Sequence, residues 1–282
     1  MIKLGIYEKG LPRTDWDTFF ASVAQAGFSF TDLSLDESPE RSSRLMWSEA
    51  HSRRVAACAR RHGVQIGGLC VSLHRKIGPG SIDRKVRSQA GTIFRQAIDL
   101  CAAMGIPVAQ VAGYYAYYET PDAGQRERYI ETLSEAADYA ALSGVMLGIE
   151  NVDGHDVTSI SDGVAVCDEV KSAWLQMYPD IGNLTVQGLD ATTELRAGRG
   201  RMVALHAKDA KPGMPRRIAM GTGAVDFPGA FAELARQSWS GRLMLELWND
   251  DAPDSAQRCV DARHKIEGWL AGAGLTVATA KE

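Results

Sequence analysis

The sequence predicts an α/β fold, a single (β/α)8 barrel, on three observations. Short β-rich runs alternate with longer amphipathic stretches, the pattern of a parallel sheet covered by helices. Eight such units can be counted along the 282 residues. Four residues with metal-binding side chains, Glu150, Asp180, His206 and Glu246, each end a hydrophobic run, and successive members lie 30, 26 and 40 residues apart. That spacing is about one strand-helix unit, so each would come from a different strand, and in a (β/α)8 barrel such strand ends converge on the catalytic face.

Taken in chain order, the predicted strands are 3–8 (KLGIYE), 30–35 (FTDLSL), 65–72 (QIGGLCVS), 108–113 (VAQVAG), 145–151 (VMLGIEN), 175–180 (LQMYPD), 202–209 (MVALHAKD) and 242–248 (RLMLELW). Each is short, rich in β-branched or aromatic residues, and bounded by turn residues. Helical periodicity covers 16–26, 49–62, 86–104, 126–142 and 257–270. Thr14 and Asp17 have capping-box spacing, Ser48 reads as an N-cap, and Gly27, Gly63, Gly105 and Gly144 follow the first four helices as stop signals. Asp226 reads as the N-cap of a further helix. The barrel is expected over 1–275, with 276–282 as a flexible tail.

Composition narrows the class. A net charge of −4 and mixed surface residues supply no basic stripe for nucleic acid. No apolar run approaches the roughly 20 residues needed to span a bilayer, and the start, MIKLGIYEKG, lacks the apolar core of a signal peptide. A cytoplasmic protein is expected. The five cysteines, Cys58, Cys70, Cys101, Cys167 and Cys259, are odd in number and sit mostly in apolar stretches, which suits buried reduced thiols.

Two Glu, one Asp and one His form a mixed oxygen and nitrogen donor set for one divalent metal ion, Zn²⁺ or Mn²⁺ first, Co²⁺ or Mg²⁺ next. One His and no Cys is unlike a closed structural zinc site, so catalysis is the better use. Met104 and Trp269 lie in helical stripes and belong to the core.

From LGIYEKGLP through RLMWSE, SLHRK, VAGYYAYY, YPDIGNL, HAKDAKPG, GTGAVDF and LMLELW, the chain resembles the L-ribulose-5-phosphate (L-xylulose-5-phosphate) 3-epimerases, within the xylose-isomerase-like TIM barrels. The resemblance implies a metal-dependent isomerase that inverts C3 of a pentulose 5-phosphate in the catabolism of L-ascorbate or related L-sugars. It also implies a homodimer or larger homo-oligomer. By motif position the two glutamates that serve both metal and chemistry are Glu150 in GIEN and Glu246 in LELW, with Asp180 and His206 completing the metal set. Epimerisation next to the C2 carbonyl needs a base on one face of the sugar and an acid on the other, passing through an enediolate that a divalent ion stabilises.

His74 in SLHRK, Asn183 in DIGN and Lys208 in HAKD are candidates for substrate binding. For the phosphate, the candidates are Lys9, Arg75 and Lys211, with Lys76 nearby and the backbone N–H groups of Gly221 and Gly223 in GTGAVDF as a second element. Tyr114, Tyr115, Tyr117 and Tyr118 read as a packing or lid element. His155 stands where the family implies a more apolar segment, and is not read as a ligand. Three alternatives stay open: a 3-epimerase of non-phosphorylated ketoses, an aldose-ketose isomerase, and a barrel that binds sugar phosphate without catalysis.

Overall fold

The computed structural model describes residues 1–278. Eight strands, β1 (Ile2–Tyr7), β2 (Phe30–Leu35), β3 (Gln65–Val71), β4 (Val108–Ala112), β5 (Met146–Glu150), β6 (Leu175–Met177), β7 (Ala204–Ala207) and β8 (Gly241–Leu245), form one parallel sheet. The order runs β6, β5, β4, β3, β2, β1, β8, β7. The ring is drawn shut by parallel bridges between Met177 and Met202 and between Asp180 and His206. There the Val203 N–H donates to the Met177 carbonyl at 2.9 Å and the His206 N–H to the Pro179 carbonyl at 2.7 Å. This is the (β/α)8 barrel that the alternating pattern predicts.

All eight predicted strands are present, but β6 and β7 are shorter than 175–180 and 202–209. Pro179 has no N–H to extend a ladder, so regular pairing stops at Met177. The five predicted helices appear as Trp16–Gln25, Glu49–Arg61, Arg84–Met104, Gln125–Ser143 and Ser255–Gly272, and Asp226 caps Phe227–Arg236. Ser48 caps its helix through the His51 N–H. The first cap differs from the expected box: Asp15 and not Thr14 accepts from the Asp17 and Thr18 N–H groups, at 3.0 and 3.1 Å. Thr14 spends its hydroxyl on the Asp15 carbonyl. Gly27, Gly63, Gly105 and Gly144 all take positive φ, between 67° and 82°, the left-handed turn that ends a helix without a Cβ penalty.

The helices Ile160–Val170, Ile181–Val186 and Ala191–Ala197 escaped the periodicity reading. The first carries an interior glycine, Gly163, and the other two span six and seven residues, too short for a period of 3.6 to declare itself. All five cysteines are buried free thiols. No helix among the described residues is long and apolar enough to cross a membrane. The expected tail begins with paired chain: Ile2 donates to the Thr276 carbonyl at 2.7 Å and Ala278 donates to the Ile2 carbonyl at 2.8 Å, a parallel bridge to the first residue of β1. Residues 279–282 lie outside the described residues.

A buried ion network frames one side of the barrel mouth. Glu8, at the end of β1, accepts both Arg44 guanidinium nitrogens at 2.6 Å, and the Ser34 N–H at 2.7 Å. Arg41 reaches the same carboxylate at 3.3 Å and also contacts Asp36 and Asp250, each at 3.5 Å. Burial alone would raise the Glu8 carboxyl, but Arg44 and Arg41 hold it below its ordinary value. The network ties the loops after β1, β2 and β8 into one wall.

His74, expected to bind substrate, turns away from the mouth. It lies in the turn Ser72–Arg75 after β3, fully buried, with its ring centroid 4.1 Å from that of Phe94 and Nε2 donating to the Ala90 carbonyl at 3.2 Å. The turn aims Arg75 and Ser72 at the mouth and folds His74 under the following helix. Burial pushes its imidazole down to about 4.

Two outcomes follow. Removing the Glu8 carboxylate with Glu8→Ala takes the carboxylate partner from buried Arg44 and one of three from Arg41, and lowers unfolding free energy by about 3–5 kcal/mol; a loss below about 1 kcal/mol in urea unfolding would show that the network contributes little. His74 is neutral in the fold and readily protonated in the unfolded chain, so its contribution to stability is complete above about pH 6.5 and is lost as pH falls toward 4. The loss reaches about 3 kcal/mol. Urea unfolding at pH 7 and pH 4 measures it, and in His74→Gln the pH-dependent loss shrinks by that amount.

Candidate metal centre and active site

The four spaced ligand candidates meet at the C-terminal mouth of the barrel. Glu150 ends β5, Asp180 follows β6 through Tyr178 and Pro179, His206 lies in β7, and Glu246 follows β8. Each offers one donor atom, and these atoms all lie within 4.8 Å of one another. His206 Nδ1 is 3.1 Å from Glu150 Oε1 and 3.9 Å from Asp180 Oδ2. Glu150 Oε2 accepts from the Gln110 amide of β4. Asn151 locks the ends of β5 and β6 together: its side chain donates to the Asp180 carbonyl at 3.0 Å and accepts the Asp180 N–H at 2.9 Å.

Lys208 stands inside this cluster. Its ammonium lies 2.9 Å from Asp180 Oδ2 and 3.0 Å from Glu246 Oε2, and donates to Asn183 Oδ1 at 2.8 Å. Both carboxylate contacts are close enough for ion pairing, yet the angles leave Asp180 Oδ2 and Glu246 Oε2 without a hydrogen-bond donor. Burial and the two other carboxylates raise Asp180, against the pull of Lys208. Burial would raise Glu246 too, but the Lys208 and His206 charges outweigh it and hold that carboxylate ionised. For His206 burial works against the charged form, and the hydrogen bond it donates to Glu150 and the surrounding carboxylates raise it overall. Two buried carboxylates and the part-buried Glu150 gather around one lysine and one histidine, and two buried oxygens lack donors. This donor set fits a divalent cation.

The cluster forms the floor of a cavity of about 340 Å³. Lys9, Arg75, Asn183 and Lys208, all singled out in the sequence, line it. Lys9 Nζ is 2.6 Å from Asp36 and sits 4.5 Å above the Trp248 ring. Arg75 lies over the faces of Tyr114 and Tyr117, at 5.3 and 5.2 Å from the ring centroids, and forms no ion pair among the described residues. Asn183 spends its amide on Lys208 and on the Asn151 carbonyl, so it orients the site from within.

Lys211 is exposed and does not line the cavity, because a bridge to Met214 turns its loop outward. Gly221 and Gly223 are likewise committed elsewhere: both N–H groups donate to Asp209 Oδ2, at 2.7 and 2.8 Å. A carboxylate of the chain thus occupies the cradle that the glycine motif suggested for an anion. Tyr114 and Tyr118 line the cavity, whereas Tyr115 packs on Tyr129. His155 lies outside the ligand cluster and half exposed, beside Tyr117.

Sequence reading missed Gln110, Asp153, Arg216 and Trp248, which complete the cavity wall. Gln110 carried a usable signal, a lone amide within the apolar run VAQVA. Arg216 carried none; only folding brings it from the loop after β7 to within 2.8 Å of Asp153 in the loop after β5.

Comparisons with known proteins agree with this architecture. A family model described as "Xylose isomerase-like TIM barrel" matches residues 20–271. The chain is 37% identical over 278 residues to L-ribulose-5-phosphate 3-epimerase UlaE of Salmonella heidelberg (strain SL476), covering 98% of each chain. The same figures hold for the UlaE of Escherichia coli O157:H7 (strain EC4115 / EHEC). Among solved structures, D-psicose 3-epimerase from Clostridium cellulolyticum H10 with D-tagatose superposes with a TM-score of 0.81 at 18% identity, over 95% of this chain and 99% of that one. An L-ribulose 3-epimerase gives 0.79 at 20% identity, over 97% and 96%. The chain is an epimerase-type isomerase and belongs to the L-ribulose-5-phosphate 3-epimerase family of the xylose isomerase-like TIM barrels.

Proposed function

We propose that this protein interconverts L-ribulose 5-phosphate and L-xylulose 5-phosphate by metal-dependent epimerisation at C3. The observation that carries the proposal is the convergence of Glu150 and Glu246 on one point of the cavity floor from β5 and β8, strands separated in the ring by β6 and β7. A sugar seated between them presents opposite faces of C3 to the two carboxylates.

In one direction, one glutamate takes the C3 proton and the electron pair moves into an enediolate with C2. The other glutamate then returns a proton to the opposite face of C3, and the pair re-equilibrates with solvent before the next turnover. In the reverse direction their roles exchange. Glu246, held ionised by Lys208 and His206, is ready to accept a proton. Glu150 is aimed by Gln110 and His206. Glu150, Asp180, His206 and Glu246 would hold one divalent cation, Zn²⁺ or Mn²⁺ before Co²⁺ or Mg²⁺, whose Lewis acidity stabilises negative charge beside C3. Asn183 and Lys208 complete the floor on which the sugar hydroxyls rest.

For the phosphate, Arg75 is the favoured anchor. Lys9 and Arg216 line the same cavity but are already paired with Asp36 and Asp153, whereas Arg75 lies over Tyr114 and Tyr117 and has no ion pair among the described residues. Those pairings also favour a second reading, epimerisation of an unphosphorylated ketose, in which no anion is needed. A homo-oligomer, as the resemblance implies, and a place in the cytoplasm are consistent with either reading.

¹H NMR of L-ribulose 5-phosphate with the enzyme and Mn²⁺ or Zn²⁺ in D₂O, followed after removal of the metal where it broadens signals, tests the reaction. L-xylulose 5-phosphate should accumulate with deuterium at C3. Exchange into free L-ribulose but not its phosphate would install the second reading. Glu150→Gln and Glu246→Gln should each lower kcat by about 10²–10⁴-fold; wild-type turnover in either variant with metal bound would end the two-base mechanism. Arg75→Gln should raise KM for the phosphorylated sugar about tenfold or more, as loss of a charged hydrogen bond of about 1.5–3 kcal/mol does. Equal losses on phosphorylated and free L-ribulose would assign Arg75 to some other task.

A further inference from the structure

A second polar group lies in the barrel interior, behind the metal-ligand candidates, and takes no part in the proposed proton transfers. Asp32 of β2 is fully buried. Its Oδ2 accepts from the Tyr178 hydroxyl at 2.6 Å, while its Oδ1 has no hydrogen-bond partner. On the facing side, His206 has a similar deficit. Nδ1 points at Glu150 and Asp180, and Nε2 is buried without a partner. A ring nitrogen of His206, an Asp32 oxygen and Cys70 Sγ all lie within 4.8 Å of one another. The Tyr178 ring stands edge-on to the His206 ring at 4.4 Å, so one tyrosine contacts both groups.

The backbone is shaped around this carboxylate. Pairing of β2 with β3 runs Thr31 to Ile66 and then Asp32 to Gly68, so Gly67 is the extra residue of a β-bulge opposite Asp32. Bulges re-aim a side chain next to a site. A Cβ on Gly67 would come within 2.9 Å of Asp32 Oδ1, and one on Gly68 within 2.6 Å of Oδ2. The GlyGly pair of β3 therefore clears the space in which Asp32 reaches the interior.

We propose that Asp32 is a positioning residue: it accepts the Nε2–H of His206, directly or through one water, and so fixes the ring with Nδ1 free to ligate a metal. The inference rests on the metal quartet proposed above. Metal-bound histidines commonly give their second ring N–H to a carboxylate, and loss of that partner typically weakens metal binding 10–100-fold. Tyr178 holds the other Asp32 oxygen, and the bulge sets the height of the carboxylate in the barrel.

The test is Mn²⁺ binding to the purified wild type and to Asp32→Asn, by isothermal titration and EPR, with apo thermal unfolding of both. The expected result is a Kd weakened about 10–100-fold in Asp32→Asn, with apo unfolding shifted by no more than a few degrees. Wild-type binding with an unchanged Kd in the variant would overturn the role of Asp32 alone. A wild type that binds no Mn²⁺ would overturn the quartet reading and this one with it. Should the variant fail to fold, the wild type decides: ¹⁵N-histidine NMR of the Zn²⁺-loaded protein should show His206 protonated at Nε2 and metal-bound at Nδ1. The opposite tautomer overturns the proposal.

Discussion

The constraint on which the rest depends is charge at the barrel mouth. Asp180, His206, Lys208 and Glu246 are between 0 and 9% exposed, and Glu150 faces them. An uncompensated buried charge costs several kcal/mol, so this set survives only as a balanced arrangement. Lys208 meets part of the negative charge, His206 can meet another part as an imidazolium, and a divalent ion meets more than either. The positions of these groups are consequently over-determined. Asn151 fixes the backbone of Asp180, Asn183 fixes Lys208, and Gln110 fixes Glu150. A side chain held by two neighbours loses little entropy when substrate arrives, which is how a rigid scaffold serves proton transfer.

Strand ends were readable in the sequence because a barrel converts a one-dimensional rhythm into a ring. Hydrophobic runs mark strands, and the first polar residue after each run must emerge at the C-terminal rim. Glu150, Asp180, His206 and Glu246 follow that logic, and the structure brings them together. Gln110 escapes it, because it lies within the run VAQVA and a single amide inside a strand is a weaker flag. Asp32 was legible only as a polar residue inside FTDLSL; that it faces His206 depends on a bulge at Gly67, a register event with no local signature beyond the glycine pair.

Loops were far less legible. His74 and Arg75 are adjacent, and one turn sends the first into the core and the second into the cavity. GTGAVDF reads as an anion cradle by composition, but Asp209, more than ten residues earlier, supplies the anion itself. Both misreadings have one cause: side-chain direction in a turn is set by φ and ψ at single residues and by remote partners, and sequence periodicity carries neither. Arg216 illustrates the reverse case, since its only functional mark is a distant aspartate that folding brings near.

The division between strand ends and loops also explains how this scaffold can be shared at low identity. D-psicose 3-epimerase superposes at a TM-score of 0.81 with 18% identity, so the barrel tolerates replacement of most side chains. What the barrel fixes is the direction from which strand-end groups approach one point, and proton transfer needs little else from the fold. In the proposed reaction, the groups left to meet the remainder of a substrate are those on the loops after β1, β3, β5 and β7, where Lys9, Arg75, Asp153 and Arg216 enter the cavity. These residues are held by one another and by the cavity wall, Lys9 by Asp36 and Trp248, Arg75 by Tyr114 and Tyr117, and Arg216 by Asp153 and Trp248, and not by the carboxylate floor. Selectivity for one end of the sugar can therefore change without disturbing the carboxylates at the other.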